Sequence, residues 1–170
     1  MFAKPLVGIV MGSDSDLAVM QEARKVLDEF KIPSEGTVAS AHRTPEKAHE
    51  YAKTAAARGI KVIIAGAGSA AHLAGVLAAN TTLPVIGVPI DSSSLNGLDA
   101  LLATVQMPGG IPVATMAIGK AGAKNAGILA AQIIGTSDPE VAQKLADYKV
   151  KMAEEVERKA KAVESLFNLF

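Results

Sequence analysis

The sequence predicts a three-layer α/β fold, in which helices cover both faces of a doubly wound parallel sheet and a C-terminal helical extension follows. Short runs that are apolar at every position, such as LVGIVM and KVIIA, are typical of strands buried on both faces. Longer helical patterns separate these runs, and this alternation favours right-handed βαβ units. The length of 170 residues fits one domain, enough to bury about two-thirds of the unfolded surface.

The pattern predicts five strands and six helices. Strands are expected over residues 6–11, 36–40, 61–65, 84–89 and 113–118. Helices are expected over residues 15–30, 45–58, 69–80, 94–105, 121–135 and 138–166. From this order we predict a flavodoxin-like strand arrangement. We expect a catalytic domain over residues 1–137, followed by the C-terminal helix within residues 138–170.

The composition argues against several classes of function. Acidic and basic residues balance, 17 of each, which gives no basic footprint for nucleic acid and no polybasic patch for a membrane. The absence of cysteine rules out disulfides, thiolate catalysis and zinc sites with cysteine ligands. Gly, Pro or Ser interrupts every apolar stretch well before about 18 residues, so no membrane span is predicted. The first residues lack a signal-peptide layout, and we expect a cytoplasmic protein.

The uneven distribution of charge predicts a homo-oligomer. Segment 69–80 has no polar face, although a surface helix normally has one, so we expect the central helices at subunit contacts. The last helix carries apolar residues at a spacing of roughly three and four, namely Leu145, Tyr148, Met152, Val156, Val163 and Phe167. This spacing fits a helix docked on its own domain or an arm packed on a neighbouring subunit. We predict the arm for residues 138–170.

Polar loops follow each of the first four predicted strands. They read GSDSD from Gly12, SAHRTP from Ser40, GAGSAAH from Gly66 and DSSS from Asp91. The carboxyl ends of parallel strands lie at one edge of the sheet, and ligands bind there where the strand order reverses. The four loops therefore outline one ligand site.

The first loop fits an anion site or a helix cap. It leads into a helix whose free N–H groups and dipole favour an anion, and Gly12 lets the backbone approach a ligand closely. Ser13 or Asp14 could equally cap that helix. Because carboxylates repel a phosphate, we expect Asp16 to accept hydrogen bonds from ribose hydroxyls instead.

The second loop carries the residues best suited to acid–base chemistry. Thr44 is expected to cap a helix whose first residue is Pro45, which places Ser40, His42 and Arg43 in the loop before it. Arg43 can grip phosphate oxygens through two parallel hydrogen bonds. His42 can both give and take a proton near neutral pH. A structural hydrogen-bonding role for His42 is the alternative, but the neighbouring arginine and Gly-Ser loop favour catalysis.

The third loop contains a weak dinucleotide fingerprint, Gly66-x-Gly68-x-x-Ala71. The same small residues would also permit tight packing between strand and helix. His72 is expected to be a buried, hydrogen-bonded residue, and His49 a surface or packing residue. The three histidines lack the short spacing of metal ligands, so we predict no metal site.

Several motifs together resemble the N5-carboxyaminoimidazole ribonucleotide mutase family of purine biosynthesis. They are GSDSD, SAHRTP, AGAGSAAHL, LPVIGVP, SLNGLDALLATVQMPGGIPVAT and AIGKAGAKNAG, which run in the family's order from about residue 7 to residue 134. The resemblance implies a flavodoxin-like fold, a homo-octamer with sites near subunit contacts, and no metal, nucleotide cofactor or ATP. It implies transfer of a carboxyl group from N5 of the imidazole ribonucleotide to ring carbon C4.

The resemblance also implies roles for individual residues. His42 would be the catalytic acid and base. The ribose phosphate portion would be bound by Ser13, Asp16 and Arg43. The migrating carboxyl group would be held by Ser40 and by the backbone of Gly68, Ser69, Ala70 and Ala71, with His72 as a secondary site residue. The chain departs from the family at Ser69, where glycine is usual, and at Ala74, where proline is usual. Ser69 could add a donor, cap the following helix or crowd the pocket.

Three other functions stay open at this point. A related branch of the family carboxylates aminoimidazole ribonucleotide directly with carbon dioxide. The glycine loop at 66–71 could instead belong to a non-catalytic dinucleotide-binding module. The departures at Ser69 and Ala74 would also suit a paralogue that has lost activity.

Overall fold

A five-stranded parallel sheet organises the computed structural model, which describes residues 4–167. Its strands are β1 (Val7–Met11), β2 (Ser34–Val38), β3 (Val62–Gly68), β4 (Val85–Ile90) and β5 (Ala114–Thr115). Its helices are α1 (Leu17–Glu29), α2 (Pro45–Arg58), α3 (Leu73–Ala79), α4 (Leu98–Val105), α5 (Gly119–Gly135) and α6 (Pro139–Phe167). A short 3₁₀ helix, Asp14–Asp16, precedes α1.

The strand order is β2-β1-β3-β4-β5, and every pair is parallel. The flavodoxin-like prediction is therefore confirmed. The chain moves from β1 outward to β2 and then returns to the other side of β1 for β3. The strand order reverses at this point, and a crevice opens above the carboxyl ends of β1 and β3.

Helices cover both faces of the sheet, which produces the three predicted layers. On one face, α1, α5 and the start of α6 share a core with alternate residues of the central strands. On the other face, α2 and α3 pack against the remaining strand residues. Helices α1 and α5 approach closely at Gly127, where a Cβ atom would lie 2.8 Å from the backbone oxygen of Ala23. A larger residue at 127 would push these two helices apart.

Several element boundaries differ from the sequence prediction, and backbone conformation explains two of them. Helix α3 begins at Leu73 rather than at residue 69, because Ser69 has a φ of 51° and cannot continue a right-handed helix. Helix α4 begins at Leu98 rather than at residue 94, because Asn96 and Gly97 have φ values of 51° and 83°. The helix predicted over 45–58 has the observed bounds.

All five strands differ from their predicted bounds, β1 and β4 by no more than a single residue at either end, and β3 by continuing to Gly68 rather than ending at residue 65. Strand β2 spans 34–38 rather than 36–40, so the loop that follows it begins earlier. Strand β5 is two residues long rather than six, because only its first part pairs with β4 at the sheet edge. The backbone N–H of Met116 makes one further bond to the oxygen of Gly87, at 2.8 Å.

Only the first part of α6 docks on its own domain. Tyr148 meets Phe30 edge-on with ring centroids 5.5 Å apart, and Lys144 Nζ donates to the Phe30 backbone oxygen at 3.2 Å. Beyond Tyr148 most of the helix is exposed, including apolar side chains such as Val156 at 63%, although Met152 still lines a surface depression with Met116. Within residues 4–167, no helix combines the length and apolar character that crossing a membrane requires.

Candidate active site

The predicted loops meet in one cleft of about 460 Å³ at the carboxyl edge of the sheet. Its lining residues are Gly12, Ser13, Ser15, Asp16, Ser40, Ala41, His42, Arg43, Ala67, Gly68, Ser69, Ala70, His72, Leu73 and Ser92. Every residue assigned to the site from the sequence lines this cleft except Ala71, which is buried. His49 lies outside it on the exposed side of α2. The sequence therefore predicted which residues gather in this cleft, although it could not show the distances between them.

The first loop is held by a reciprocal pair of hydrogen bonds. Ser13 Oγ accepts from the backbone N–H of Ser15 at 3.4 Å, and the Ser13 N–H donates to Asp16 Oδ2 at 3.0 Å. This arrangement is a capping box on the short 3₁₀ helix. Ser13 therefore caps the turn and also lines the cleft, so its role as a cap does not remove it from the candidate site.

Asp16 is a buried carboxyl group at the floor of the first loop, with 4% of the residue exposed. Burial raises the pKa of Asp16 above its usual value, and the backbone N–H groups of Ser13 and Gly12 only partly offset this effect. The positive charge of Arg43 also lowers the Asp16 pKa, by less. The group is thus a fixed hydrogen-bonding partner whose proton affinity is raised by its surroundings.

The second loop is folded back on itself by Thr44. Thr44 Oγ1 accepts from the Ser40 N–H at 2.9 Å and lies 3.2 Å from the Ser40 backbone oxygen, to which it donates. The expected side-chain cap of α2 by Thr44 is wrong, because its hydroxyl is engaged with Ser40 and makes no capping hydrogen bond. Pro45 is the first residue of α2, as predicted. The closed loop holds the residues between Ser40 and Thr44 above the sheet.

The histidines of the second and third loops form a direct pair. His42 Nε2 and His72 Nδ1 are 2.7 Å apart, and the two rings meet edge-on with centroids separated by 4.8 Å. One nitrogen of the pair must carry a proton and the other must accept it, so the tautomers of the two rings are linked. His72 is hydrogen-bonded, as predicted, but the expectation that it is buried is wrong, because it is exposed at the cleft.

Arg43 connects the second loop to the first. Its Nη2 atom donates to the backbone oxygen of Gly12 at 3.5 Å, and its own backbone N–H donates to Ser40 Oγ at 3.1 Å. Ser40 Oγ acts as an acceptor in that bond, so its hydroxyl hydrogen can still point to a ligand. The arrangement places a guanidinium group, which can form two parallel hydrogen bonds to an anion, beside the Gly-Ser loop.

The third loop contains Ser69, one of the two positions at which the resemblance noted in the sequence implies a different residue. Ser69 lines the cleft with a φ of 51°, a left-handed conformation in which glycine carries no steric cost. The residue that precedes α3 is His72, so Ser69 does not cap that helix. Ala74 is buried in the core below the loop and is not part of the cleft.

The glycines of this loop do not form a dinucleotide site. Gly66 and Gly68 still belong to β3, where they pair with residues of β1 and β4. A dinucleotide fingerprint instead leads directly into a long helix whose first turn binds the pyrophosphate. Here α3 has only seven residues and begins at Leu73. The small residues serve close packing and access to the cleft.

The loop after β4 contributes a residue that the sequence did not single out. Of the run Asp91-Ser92-Ser93-Ser94, only Ser92 lines the cleft. The polar run was visible in the sequence, but which of its hydroxyls faces the ligand depends on the path of the loop. Among residues 4–167, no three His, Cys, Asp or Glu side chains are grouped closely enough to hold a metal ion.

The fold and the cleft together define a flavodoxin-like α/β protein whose ligand site carries a histidine pair and an arginine. The family model described as AIR carboxylase matches residues 6–155, and the chain belongs to this family. The match covers the whole sheet and the first half of α6. The family resemblance read from the sequence motifs is thereby confirmed.

Individual relatives agree with this assignment. The chain is 62% identical to the N5-carboxyaminoimidazole ribonucleotide mutase of Pyrococcus horikoshii over 163 residues, which cover 96% of this chain and 91% of that protein. It is 53% identical to the phosphoribosylaminoimidazole carboxylase of Candida glabrata, across 96% of this chain but 28% of that protein. The crystal structure of Treponema denticola PurE matches with a TM-score of 0.84 and 30% identity, covering 93% of this chain and 98% of that one.

Proposed function

We propose that this protein is an isomerase of purine biosynthesis that moves a carboxyl group from N5 to C4 of carboxyaminoimidazole ribonucleotide. The observation that carries the proposal is the convergence of His42, its partner His72 and Arg43 in one cleft with the Gly-Ser loop. The high identity to a mutase of nearly the same length supports the same reaction.

The ribose phosphate end of the substrate is assigned to the first two loops. Arg43 supplies the positive charge for the phosphate, and Ser13 supplies a hydroxyl from the neighbouring loop. Asp16 accepts hydrogen bonds from the ribose hydroxyls, a role that its fixed position at the floor of the loop favours. These residues anchor the nucleotide, so that the small imidazole ring lies toward the third loop.

The carboxyl group is assigned to Ser40 and to the backbone between Gly68 and Ala71. Ser40 keeps a hydroxyl hydrogen for this purpose, since its oxygen accepts from Arg43. Small residues at 67–71 let the backbone come close to a flat carboxylate. The left-handed turn at Ser69 alters the direction of successive peptide N–H groups, which is a geometry suited to binding an anion.

His42 is assigned to both proton transfers. It donates a proton to N5 as the N–C bond of the carbamate breaks, the bonding electrons pass to N5, and carbon dioxide is released. Carbon C4 of the aminoimidazole then attacks the trapped carbon dioxide, and a new C–C bond forms. The C4 proton returns to His42 and restores the aromatic ring. The cycle leaves no net change in protons and needs no ATP, because the carboxyl group is only relocated.

His72 is assigned to holding the His42 ring in place through the 2.7 Å hydrogen bond. The bond fixes which nitrogen of His42 faces the substrate, and fixed orientation of a proton-transfer group is a large part of catalysis. Because both rings are exposed at the cleft, closure over the bound nucleotide is needed to exclude water and keep carbon dioxide beside C4.

We also propose that the active form is a cytoplasmic homo-octamer. The single chain leaves groups of apolar side chains uncovered near α4 and along α6 beyond Tyr148, in addition to the isolated Leu17 and Val38. The most exposed members are Leu95, Leu98, Leu102, Val105, Val150, Val156, Val163, Leu166 and Phe167. Contact with neighbouring subunits would cover them, as it would the weakly polar α3. The arm role of residues 138–170 rests on the same argument.

An isotope experiment distinguishes the mutase from a carboxylase. Purified protein is given the carbamate substrate labelled with ¹³C in its carboxyl group, without ATP and with unlabelled bicarbonate in the solution. Retention of the label in the C4-carboxylated product is the expected result, because the trapped carbon dioxide does not leave the cleft. Product that carries the unlabelled carbon, or faster conversion of aminoimidazole ribonucleotide plus bicarbonate, would instead establish direct carboxylation.

A further inference from the structure

Ser92 presents a hydroxyl group to the cleft from a loop to which the proposed chemistry assigns no residue. It lies two residues beyond β4, is exposed, and belongs to the lining of the site. Among the hydrogen bonds within residues 4–167, none uses its side chain. Its oxygen and its hydrogen are therefore both available to a ligand.

The side chain of Ser92 lies directly against the end of β3. Gly68 pairs with Ile90 in the sheet, and the loop beyond Ile90 folds over it. A Cβ atom added to Gly68 would lie 1.7 Å from Ser92 Oγ and 2.9 Å from Ser92 Cβ. Residue 68 therefore has to be glycine for Ser92 to occupy this position. The Ser92 hydroxyl therefore lies beside the Gly68 backbone, on the side that a Cβ atom would occupy.

The neighbouring serines do not share this property. Ser93 Oγ donates to Asp99 at 2.8 Å and accepts from the Leu95 N–H at 3.2 Å, so it stabilises the turn before α4. Ser94 is exposed and lies outside the cleft. The loop thus contains three consecutive serines, of which one lines the cleft, one bonds to the turn before α4, and one is exposed outside the cleft. The path of the loop selects Ser92 alone.

We propose that Ser92 is a substrate-binding residue that donates a hydrogen bond to the migrating carboxyl group. The inference rests on the proposed function, which places that carboxyl group at the backbone of Gly68 to Ala71. A carboxylate offers about four lone-pair sites, so it can accept from Ser40, the backbone and Ser92 together. A hydroxyl donor at this point favours the carboxylated nucleotide over the same nucleotide without a carboxyl group.

The test compares two ligands that differ only in that group. Calorimetry measures the affinity for aminoimidazole ribonucleotide and for its 4-carboxylated form, in the parent protein, in Ser92→Ala and in Ser94→Ala. Ser92→Ala is expected to weaken binding of the carboxylated nucleotide by about 10- to 100-fold, the range for loss of one hydrogen bond to a charged group. It is expected to leave the affinity for aminoimidazole ribonucleotide unchanged. Ser94→Ala should bind both ligands as the parent does.

If Ser92→Ala weakened the binding of both ligands equally, or of neither, the proposed role of Ser92 would be overturned.

A second pair of variants tests the contact between Ser92 and Gly68 through stability rather than through ligand binding. Gly68→Ala should lower the melting temperature, and Gly68→Ala combined with Ser92→Gly should recover much of the loss. The absence of recovery would contradict the contact. Failure of the parent to convert the labelled carbamate, with both ligands still bound selectively, would reject the mutase and leave the assignment of Ser92 intact.

Discussion

Two exposed regions of this molecule differ in how their side chains are held. The second loop, residues 40–44, is polar and closed by hydrogen bonds between Ser40, Arg43 and Thr44. The distal half of α6, residues 149–167, is regular and mostly exposed, and its apolar side chains Val156 and Val163 are largely uncovered. A loop whose polar groups hydrogen-bond to one another and so hold a cleft open is suited to binding a small ligand. A helix that leaves apolar groups uncovered suits another protein surface.

The largest expected effect is a loss of turnover when the histidine of the second loop is replaced, with no loss of folding. His42→Asn should fold and assemble like the parent but lose at least about 1,000-fold in turnover, within the range attributed to a positioned acid and base. Asparagine can keep a hydrogen bond to His72 but cannot transfer a proton near neutral pH. Activity is measured with the carbamate substrate, and circular dichroism and light scattering follow fold and assembly. Turnover close to that of the parent would remove His42 from the mechanism.

A smaller effect is expected at the arginine of the same loop. Arg43→Ala should raise KM or the dissociation constant of the nucleotide by about 10- to 100-fold, with a lesser change in kcat, because a charge-assisted contact to the phosphate is lost. Arg24→Ala is the matched control, since Arg24 is an exposed partner of Asp28 on α1. Unchanged nucleotide binding in Arg43→Ala would exclude the phosphate role.

The corresponding test on α6 concerns assembly. Val156→Glu should weaken subunit association by about tenfold or more, because a valine buried in an interface contributes about 1.5–3 kcal/mol and a glutamate there would lose hydration. Lys151→Glu introduces the same side chain at another exposed position of the helix and is expected to have less effect. Light scattering over a dilution series measures the result. An unchanged assembly in Val156→Glu would mean that this half of α6 contacts no neighbour.

The smallest expected effect is a pH-dependent change in stability at Asp16. Its pKa is raised by burial in the folded chain, so the folded state holds the proton more tightly than the unfolded state. The contribution of this group to stability is therefore greatest below its unfolded pKa, and it is lost as pH rises through the raised folded value. Asp16→Asn should consequently melt above the parent at neutral pH, with the difference closing in acid.

The control for Asp16 is its exposed neighbour. Asp14→Asn, in the same loop, should show no comparable difference. Melting curves at several pH values measure both variants. A gain in Asp16→Asn that did not change with pH would contradict the burial argument. A loss of nucleotide binding in the same variant is expected, because an amide is a weaker partner for ribose hydroxyls.

Much of the fold could be predicted because it depends on local patterns. Buried strands have runs such as VIIA and VIGVPI, and α2 begins at a proline and ends before a glycine in the left-handed region. The starts of α3 and α4 were predicted wrongly because they depend on backbone angles at Ser69 and Asn96, which side-chain hydropathy does not report. The length of strand β5 was overestimated for a related reason, because an apolar run of residues does not show where hydrogen bonding to the neighbouring strand stops.

The site was predicted less completely than the fold. The polar loops revealed which residues gather, because parallel strands bring their carboxyl ends to one edge. They did not reveal that His72 meets His42, that Thr44 bonds to Ser40 rather than to its helix, or that Ser92 faces the cleft. Each of these contacts depends on the orientation of a side chain or the path of a loop.

The amino-acid order alone determined the layers of this protein, its parallel sheet and the group of loops that lines the cleft, because burial and turn preferences act over a few neighbouring residues. The tertiary structure decided which hydroxyl, imidazole and guanidinium groups lie within bonding distance. Those distances join residues as far apart in sequence as Gly12 and Arg43 or His42 and His72. They emerge only when the strands pack side by side and the helices fix the loops above them.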